Sequence, residues 1–347
     1  MADLTHFDPD SAGNPNNNIF GLPFTEEEAR VVIVPVPWEV TVSFGSGTAR
    51  SAEQIMKASL QVDLYDPDLP DGWQQGFFSR ETDQKILLKS DYLRKEAELY
   101  IDYISKGDAI EKNSFMCKAL KEINEGSVFL NQWVYQQTKG LLDRDKLVVL
   151  MGGDHSTPLG FMKAIGEKHG DFGILQIDAH CDLRESYEGF TYSHASIMYN
   201  ALKEVPAVKK LVQLGIRDYS GGEHQYIRDN SSRVRTYFER EIKTRQFEGE
   251  TFRQIADEII DQLPQQVYIS FDIDGLDPKL CPNTGTPVQG GFETEEVYYI
   301  FDKLVKSGKK IVGIDLCEVS TSESGWDANV GARVLFKLCN LMIAGNA

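Results

Sequence analysis

From Lys146 onward the chain alternates short apolar runs with amphipathic stretches, and that alternation restricts it to one architecture. The runs at 147–151, 174–177, 211–214, 234–237, 266–271 and 310–316 have the length and composition of buried strands. Helical stretches are expected between them, at about 157–168, 195–202, 223–229, 251–263 and 294–305, with a last helix at about 327–342. An earlier strand at 31–36, followed by a helix at 51–59, brings the expectation to at least seven strands. Strands separated by helices make a mostly parallel sheet covered on both faces, a three-layer α/β/α sandwich.

In such sheets ligands bind outside the carboxyl ends of the strands. The residues just past five of the expected strands are 152–155, 178–182, 215–218, 272–274 and 317–318, and every one of these ends carries a carboxylate or an imidazole. The stretch Ile-Leu-Gln-Ile-Asp-Ala-His-Cys-Asp, 174–182, is the densest. At strand periodicity its Asp178, His180 and Asp182 share a face. Such groups repel one another unless a cation sits between them, and a divalent metal is the simplest candidate.

Charge and composition exclude other classes. With 36 basic and 53 acidic residues the net charge is −17, which argues against nucleic acid and against an anionic membrane surface. It suits a metal or a cationic small molecule. No apolar stretch is long enough to span a bilayer, and residues 1–18 carry no signal-peptide core. The five cysteines are scattered without a CxxC pair, so neither a zinc knuckle nor a disulfide framework is expected. A cytoplasmic setting follows.

Residues 1–28 read as an extended arm, and 29–347 as one α/β domain with a helical insertion at about 72–141. Residues 61–92 show turn chemistry but no period, while 93–141 look helical. The glycine-rich turn at 43–49 lacks both GxxxxGK[ST] and GxGxxG, so it is read as a tight turn beside a pocket.

The candidate metal ligands are His155, Asp178, His180, Asp182, Asp272 and Asp274. A lone aspartate after a strand more often caps a helix, and a lone histidine is more often structural. Six together exceed the three protein ligands usual for one catalytic zinc. They suit two divalent ions sharing carboxylates, Mn²⁺ first, with Ni²⁺ also compatible.

The motifs Gly-Gly-Asp-His-Ser (152–156), Asp-Ala-His-Cys-Asp (178–182) and Ser-Phe-Asp-Ile-Asp-Gly-Leu-Asp-Pro (270–278) resemble those of the ureohydrolases, the family of arginases, agmatinases and formimidoylglutamases, over roughly residues 30–345. The resemblance implies one metal on His155, Asp178, Asp182 and Asp272, and a second on Asp178, His180, Asp272 and Asp274. Asp178 and Asp272 would bridge. A metal-bridging hydroxide would attack a guanidinium carbon, releasing urea and an amine. Glu318 would hold the guanidinium, and His194 would shuttle a proton to the leaving amine. Asp182 is counted with these catalytic groups as well as with the ligands.

The substrate is less constrained. The loop after the second motif, 183–190, departs from the arginase pattern, which argues against arginine. Asp218 matches a position that serves a substrate amino group, but it can equally be structural. Trp38, Tyr187, Phe190 and Tyr192 are large enough to narrow a pocket, and Arg184 would disfavour a cationic tail if it points inward. The arm and the insertion resemble an agmatinase-like branch close to guanidine hydrolases. The expected substrate is therefore a small guanidino compound with a diamine tail, or free guanidine with nickel, ahead of arginine and formimidoylglutamate. A catalytically silent paralogue and a one-zinc deacetylase stay open as alternatives. The resemblance also implies a homo-oligomer, trimer or hexamer.

Overall fold

The structure is a computed structural model that describes residues 4–107 and 109–347. Among them eight strands form one all-parallel sheet: β1 (Val31–Val36), β2 (Phe77–Ser79), β3 (Leu147–Gly152), β4 (Phe172–Ile177), β5 (Val208–Ile216), β6 (Val234–Phe238), β7 (Gln266–Asp272) and β8 (Lys310–Cys317). Their spatial order is β2-β1-β3-β8-β7-β4-β5-β6. The helices are α1 (Ser51–Ser59), α2 (Gln84–Ser105), α3 (Ser114–Leu142), α4 (Leu159–His169), α5 (Ile197–Glu204), α6 (Gly221–Asp229), α7 (Glu239–Phe247), α8 (Phe252–Asp261), α9 (Thr294–Lys306) and α10 (Trp326–Ala344). None is long and apolar enough to cross a membrane.

The strands are nearly continuous in apolar residues because both faces of the sheet are covered. Alternate residues feed opposite cores. Val31 and Ile33 face the core built with α1, α8, α9 and α10, which supply Ile55, Ile259, Phe301 and Leu335. Val32, Val34 and Val36 face the other, where Leu93 of α2, Leu130 of α3, Phe161 of α4 and Met198 of α5 pack. Burying each such side chain contributes about 1.5–3 kcal/mol. The three layers expected from the alternation are these two cores with the sheet between them.

The topology decides where the motifs meet. The strands that carry them, β3, β8, β7 and β4, are neighbours at the middle of the sheet. Because all are parallel, their carboxyl ends open on one rim.

Three elements differ from the expectation. Edge strand β2 lies in a stretch without visible period, since three residues cannot establish one. The Asn18 side chain pairs with its backbone, accepting from Ser79 N at 2.6 Å and donating to Ser79 O at 3.1 Å. Helix α2 begins at Gln84, capped by the Asp83 carboxylate, well before residue 93. Its exposed Leu88 and Tyr92 blur the amphipathic pattern there. Helix α7 buries only Ile242 and so leaves no periodic trace.

Candidate metal centre

His155 follows β3 on a turn that a side chain at 153 would destroy. A Cβ at Gly153 would lie 1.9 Å from the Trp38 carbonyl oxygen, so only glycine allows this approach. The turn places the His155 ring, 1% exposed, under three carboxylates. Its Nδ1 is 3.0 Å from Asp178 Oδ2, 3.0 Å from Asp182 Oδ2 and 3.3 Å from Asp272 Oδ2.

The other ring nitrogen is committed. Nε2 is 2.9 Å from Ser270 Oγ, and that hydroxyl donates to Asp315 Oδ1 at 3.1 Å. Ser270 therefore accepts from an Nε2–H, so the neutral ring turns its Nδ1 lone pair to three acceptor oxygens. Nδ1 is buried without a hydrogen-bond partner. A cation satisfies all four atoms at once, and an outer hydrogen bond on the far nitrogen is the usual support of a metal-binding imidazole.

The second cluster shares one member with the first. His180 Nδ1 stands 3.1 Å from Asp274 Oδ2 and 3.6 Å from Asp178 Oδ1. Asp178 thus turns one oxygen to each imidazole. Asp272 turns Oδ2 to His155, while its Oδ1 accepts from Asp274 N at 2.9 Å. The donor set, imidazole nitrogens and carboxylate oxygens, fits divalent ions.

The electrostatics agree. Burial and the neighbouring Asp178 push the Asp182 carboxyl up to about 7. Burial, Asp274 and Asp178 push Asp272 well above the carboxylate range. Burial also disfavours a charge on Asp178, but the two histidines outweigh it and hold its pKa low. Burial opposes a charge on His155, yet Asp178, Asp182 and Asp272 raise it well above the ordinary value. The protein alone holds more negative charge here than it balances.

Glu318 follows β8 and is buried. Its Oε1 accepts from His155 N at 2.9 Å, and its Oε2 has no partner. Burial first, then the negative charges of Asp154 and Asp274, raise its pKa well above normal. Glu318 and Asp182 both adopt left-handed backbone, φ 62° and 54°, which costs about 1–3 kcal/mol each and is typical of functional sites.

A cavity of about 350 Å³ opens over the centre, lined by His180, Asp182, His194, Tyr187, Asp218 and Arg184 among others. Burial, with His180 and His155 nearby, lowers the His194 ring to about 3, so it is neutral. Thr41 Oγ1 accepts from His194 N at 3.2 Å and lies 3.5 Å from Nδ1. Asp218 stands exposed at the mouth. Arg184 points to the cavity, 4.9 Å over the Tyr187 ring, with Nε 3.8 Å from Glu223. Glu223 itself closes the capping box of α6.

Of the large residues expected to narrow the pocket, only Tyr187 lines it. Trp38 is fully buried in the α2–α3 core. Phe190 packs on Tyr100, and Tyr192 bonds Glu204 at 2.9 Å in a separate groove. Residues near one another in sequence are carried to different surfaces by the loop.

Several supporting residues carried no assigned role in the sequence. Gln176 donates to Asp178 Oδ2 at 2.8 Å and is itself held by Gln213, which accepts from Thr236. Ser270 and Asp315 hold His155. Their signal is a polar residue inside an apolar strand, which must find a buried partner.

The model of the arginase family matches residues 29–340. The chain is 30% identical over 295 residues to the N(1)-aminopropylagmatine ureohydrolase of Thermus thermophilus, covering 85% of this chain and 84% of that one. It is 27% identical over 296 residues to the agmatinase of Bacillus cereus, with 85% and 84% covered. Among solved structures, the proclavaminate amidino hydrolase of Streptomyces clavuligerus superposes with a TM-score of 0.72 at 21% identity, covering 97% of this chain and 100% of that one, a likeness of fold. The chain therefore belongs to the arginase family, as a ureohydrolase acting on linear amidine C–N bonds.

Proposed function

We propose that the chain is an agmatinase-like hydrolase with two divalent ions, cleaving a guanidino compound with an amine-bearing tail to urea and the amine. The Glu318 carboxylate carries the reading. It is buried, with one oxygen fixed by His155 N and the other free. A buried carboxylate with a spare oxygen matches a planar cation bearing several N–H donors.

His155, Asp178, Asp182 and Asp272 would hold one ion, and Asp178, His180, Asp272 and Asp274 the other. The two-sided Asp178 carboxylate supports the sharing. Ions bound there supply a hydroxide nucleophile near neutral pH by lowering the pKa of water. Oxygen-rich donors with imidazole favour Mn²⁺, and Ni²⁺ is the alternative.

Glu318 would orient the guanidinium. His194, neutral and at the cavity wall, would carry a proton to the leaving amine. Thr41, by accepting from Nδ1–H, would leave the Nε2 lone pair to take up a proton and pass it to the leaving amine. Asp218 at the mouth would meet a cationic tail, and the agmatinase and aminopropylagmatine ureohydrolase names of the relatives favour such a tail. Arg184 in the same wall favours the second reading, free guanidine, which has no tail to be repelled.

Urea release from agmatine, N(1)-aminopropylagmatine, guanidine, arginine and formimidoylglutamate, with Mn²⁺ or Ni²⁺ and metal counted per chain, tests this. Two ions and fastest turnover of a tailed amine are expected. Two ions without urea from any compound would point to a silent paralogue, and one ion per chain to the deacetylase-like alternative.

A further inference from the structure

The helices α2 and α3, which fill most of residues 84–142, supply no ligand to the centre, yet they grip the two loops that wall its cavity. Ser90, Asp91 and Arg94 lie on one side of α2. Ser90 Oγ accepts from Glu39 N at 3.1 Å, and Asp91 pairs with Arg50 at 2.8 Å. Arg94 Nη1 donates to the Val42 carbonyl and lies 3.5 Å from that of Val40. Between those carbonyls sits Thr41, fully buried, whose hydroxyl holds His194 N.

Helix α3 grips the second loop. The Asn124 amide donates to Gly189 O at 3.2 Å and accepts from Thr191 N at 2.9 Å. Residues 187–190 form a tight turn, with Phe190 N donating to Tyr187 O at 2.8 Å. Glu188 and Gly189 have φ of 54° and 82°, both positive as a type I′ turn requires. A Cβ at Gly189 would lie 2.9 Å from Tyr100 Oη of α2 and 3.2 Å from Leu120 of α3, so the turn is seated on the helices. It presents Tyr187 edge-on to His194, ring centroids 6.1 Å apart.

We propose that the α2–α3 pair is a brace for the His194 ring, with Arg94 and Asn124 as positioning residues that act through Thr41 and Tyr187. Neither Arg94 nor Asn124 lines the cavity. The inference rests on the proton-transfer role proposed for His194. Its physical basis is that a reacting group displaced by about 1 Å loses on the order of a hundredfold in rate.

The test uses the full-length, metal-loaded chain carrying Arg94→Met or Asn124→Ala, each alone and combined with His194→Ala. Lys121→Ala, on the exposed side of α3, serves as the control. Each brace variant is expected to lower kcat for urea release by about tenfold or more with KM nearly unchanged, and to add nothing once His194 is gone. An equal loss in both backgrounds, or a change confined to KM, overturns the proposal. Where Arg94→Met fails to fold, Arg94→Lys reads the same coupling. Hydrogen exchange gives an arm independent of turnover. Amides of 40–47 and 190–195 should exchange faster in both brace variants than in Lys121→Ala, and unchanged exchange there overturns the brace. If the unsubstituted chain releases no urea from any guanidino compound, the proposed function falls, and exchange alone decides the brace.

Discussion

The two halves of the centre are built differently. The His155 half is deep: the ring is 1% exposed, three carboxylates surround Nδ1, and a Ser270–Asp315 relay fixes Nε2. The His180 half is outer: its ring is 24% exposed, lines the cavity and meets two carboxylates. The deep half is thus part of the core, and its geometry is enforced by packing. The outer half is where solvent and substrate arrive. Asp178 belongs to both, so the halves are separable in access but not in charge.

The severest test of that division is Asp178→Asn. Removing the shared charge should empty both halves, and activity should fall by more than the roughly 10–100-fold that loss of an outer partner causes. Metal analysis per chain checks it, and two retained ions at full rate would refute the sharing. Next, Ser270→Ala should weaken one ion by about 10–100-fold and leave the other intact. Calorimetric titration with Mn²⁺ resolves this, and equal weakening of both would erase the distinction between deep and outer. Chelator challenge should remove the outer ion first, seen as a biphasic loss of metal. A single phase would argue that the halves exchange together. Glu318→Gln should keep both ions and cost about 1.5–3 kcal/mol of substrate affinity or rate. Metal loss with unchanged KM would contradict the guanidinium role.

The smallest effect lies off the centre and separates acid loss of metal from acid loss of fold. Arg80 at 2.6 Å, opposed by partial burial and aided by Arg144, holds the Glu26 carboxyl down to about 2 from 4.5. A depressed carboxylate stabilises the fold above its unfolded pKa, and that stability is lost as pH falls from 4.5 towards 2. Glu26→Gln should therefore flatten the acid limb of thermal stability without changing metal content at neutral pH. An unchanged limb would remove this ion pair from the acid response.

The legible part of the site was the part with local chemistry. His155, Asp178, His180, Asp182, Asp272 and Asp274 announce themselves because each stands at the end of an apolar run. Ser270 and Asp315 were visible as letters but not as a relay, since their partnership spans β7 and β8. Trp38 shows the opposite failure. Its size suggested a pocket wall, but only packing against α2 and α3 reveals that it is core. Strand β2 escaped because three residues pair with β1 without any pattern of their own.

Periodicity and residue type determined the layered parallel fold and the identity of the metal-competent groups, because alternation and ligand chemistry are local properties of a chain. The strand order that makes β3, β8, β7 and β4 neighbours belongs to the folded sheet alone. So do the two-sided Asp178, the unpartnered oxygen of Glu318, and the grip of α2 and α3 on distant loops. Each depends on segments tens to hundreds of residues apart, and only closure of the tertiary structure sets such distances.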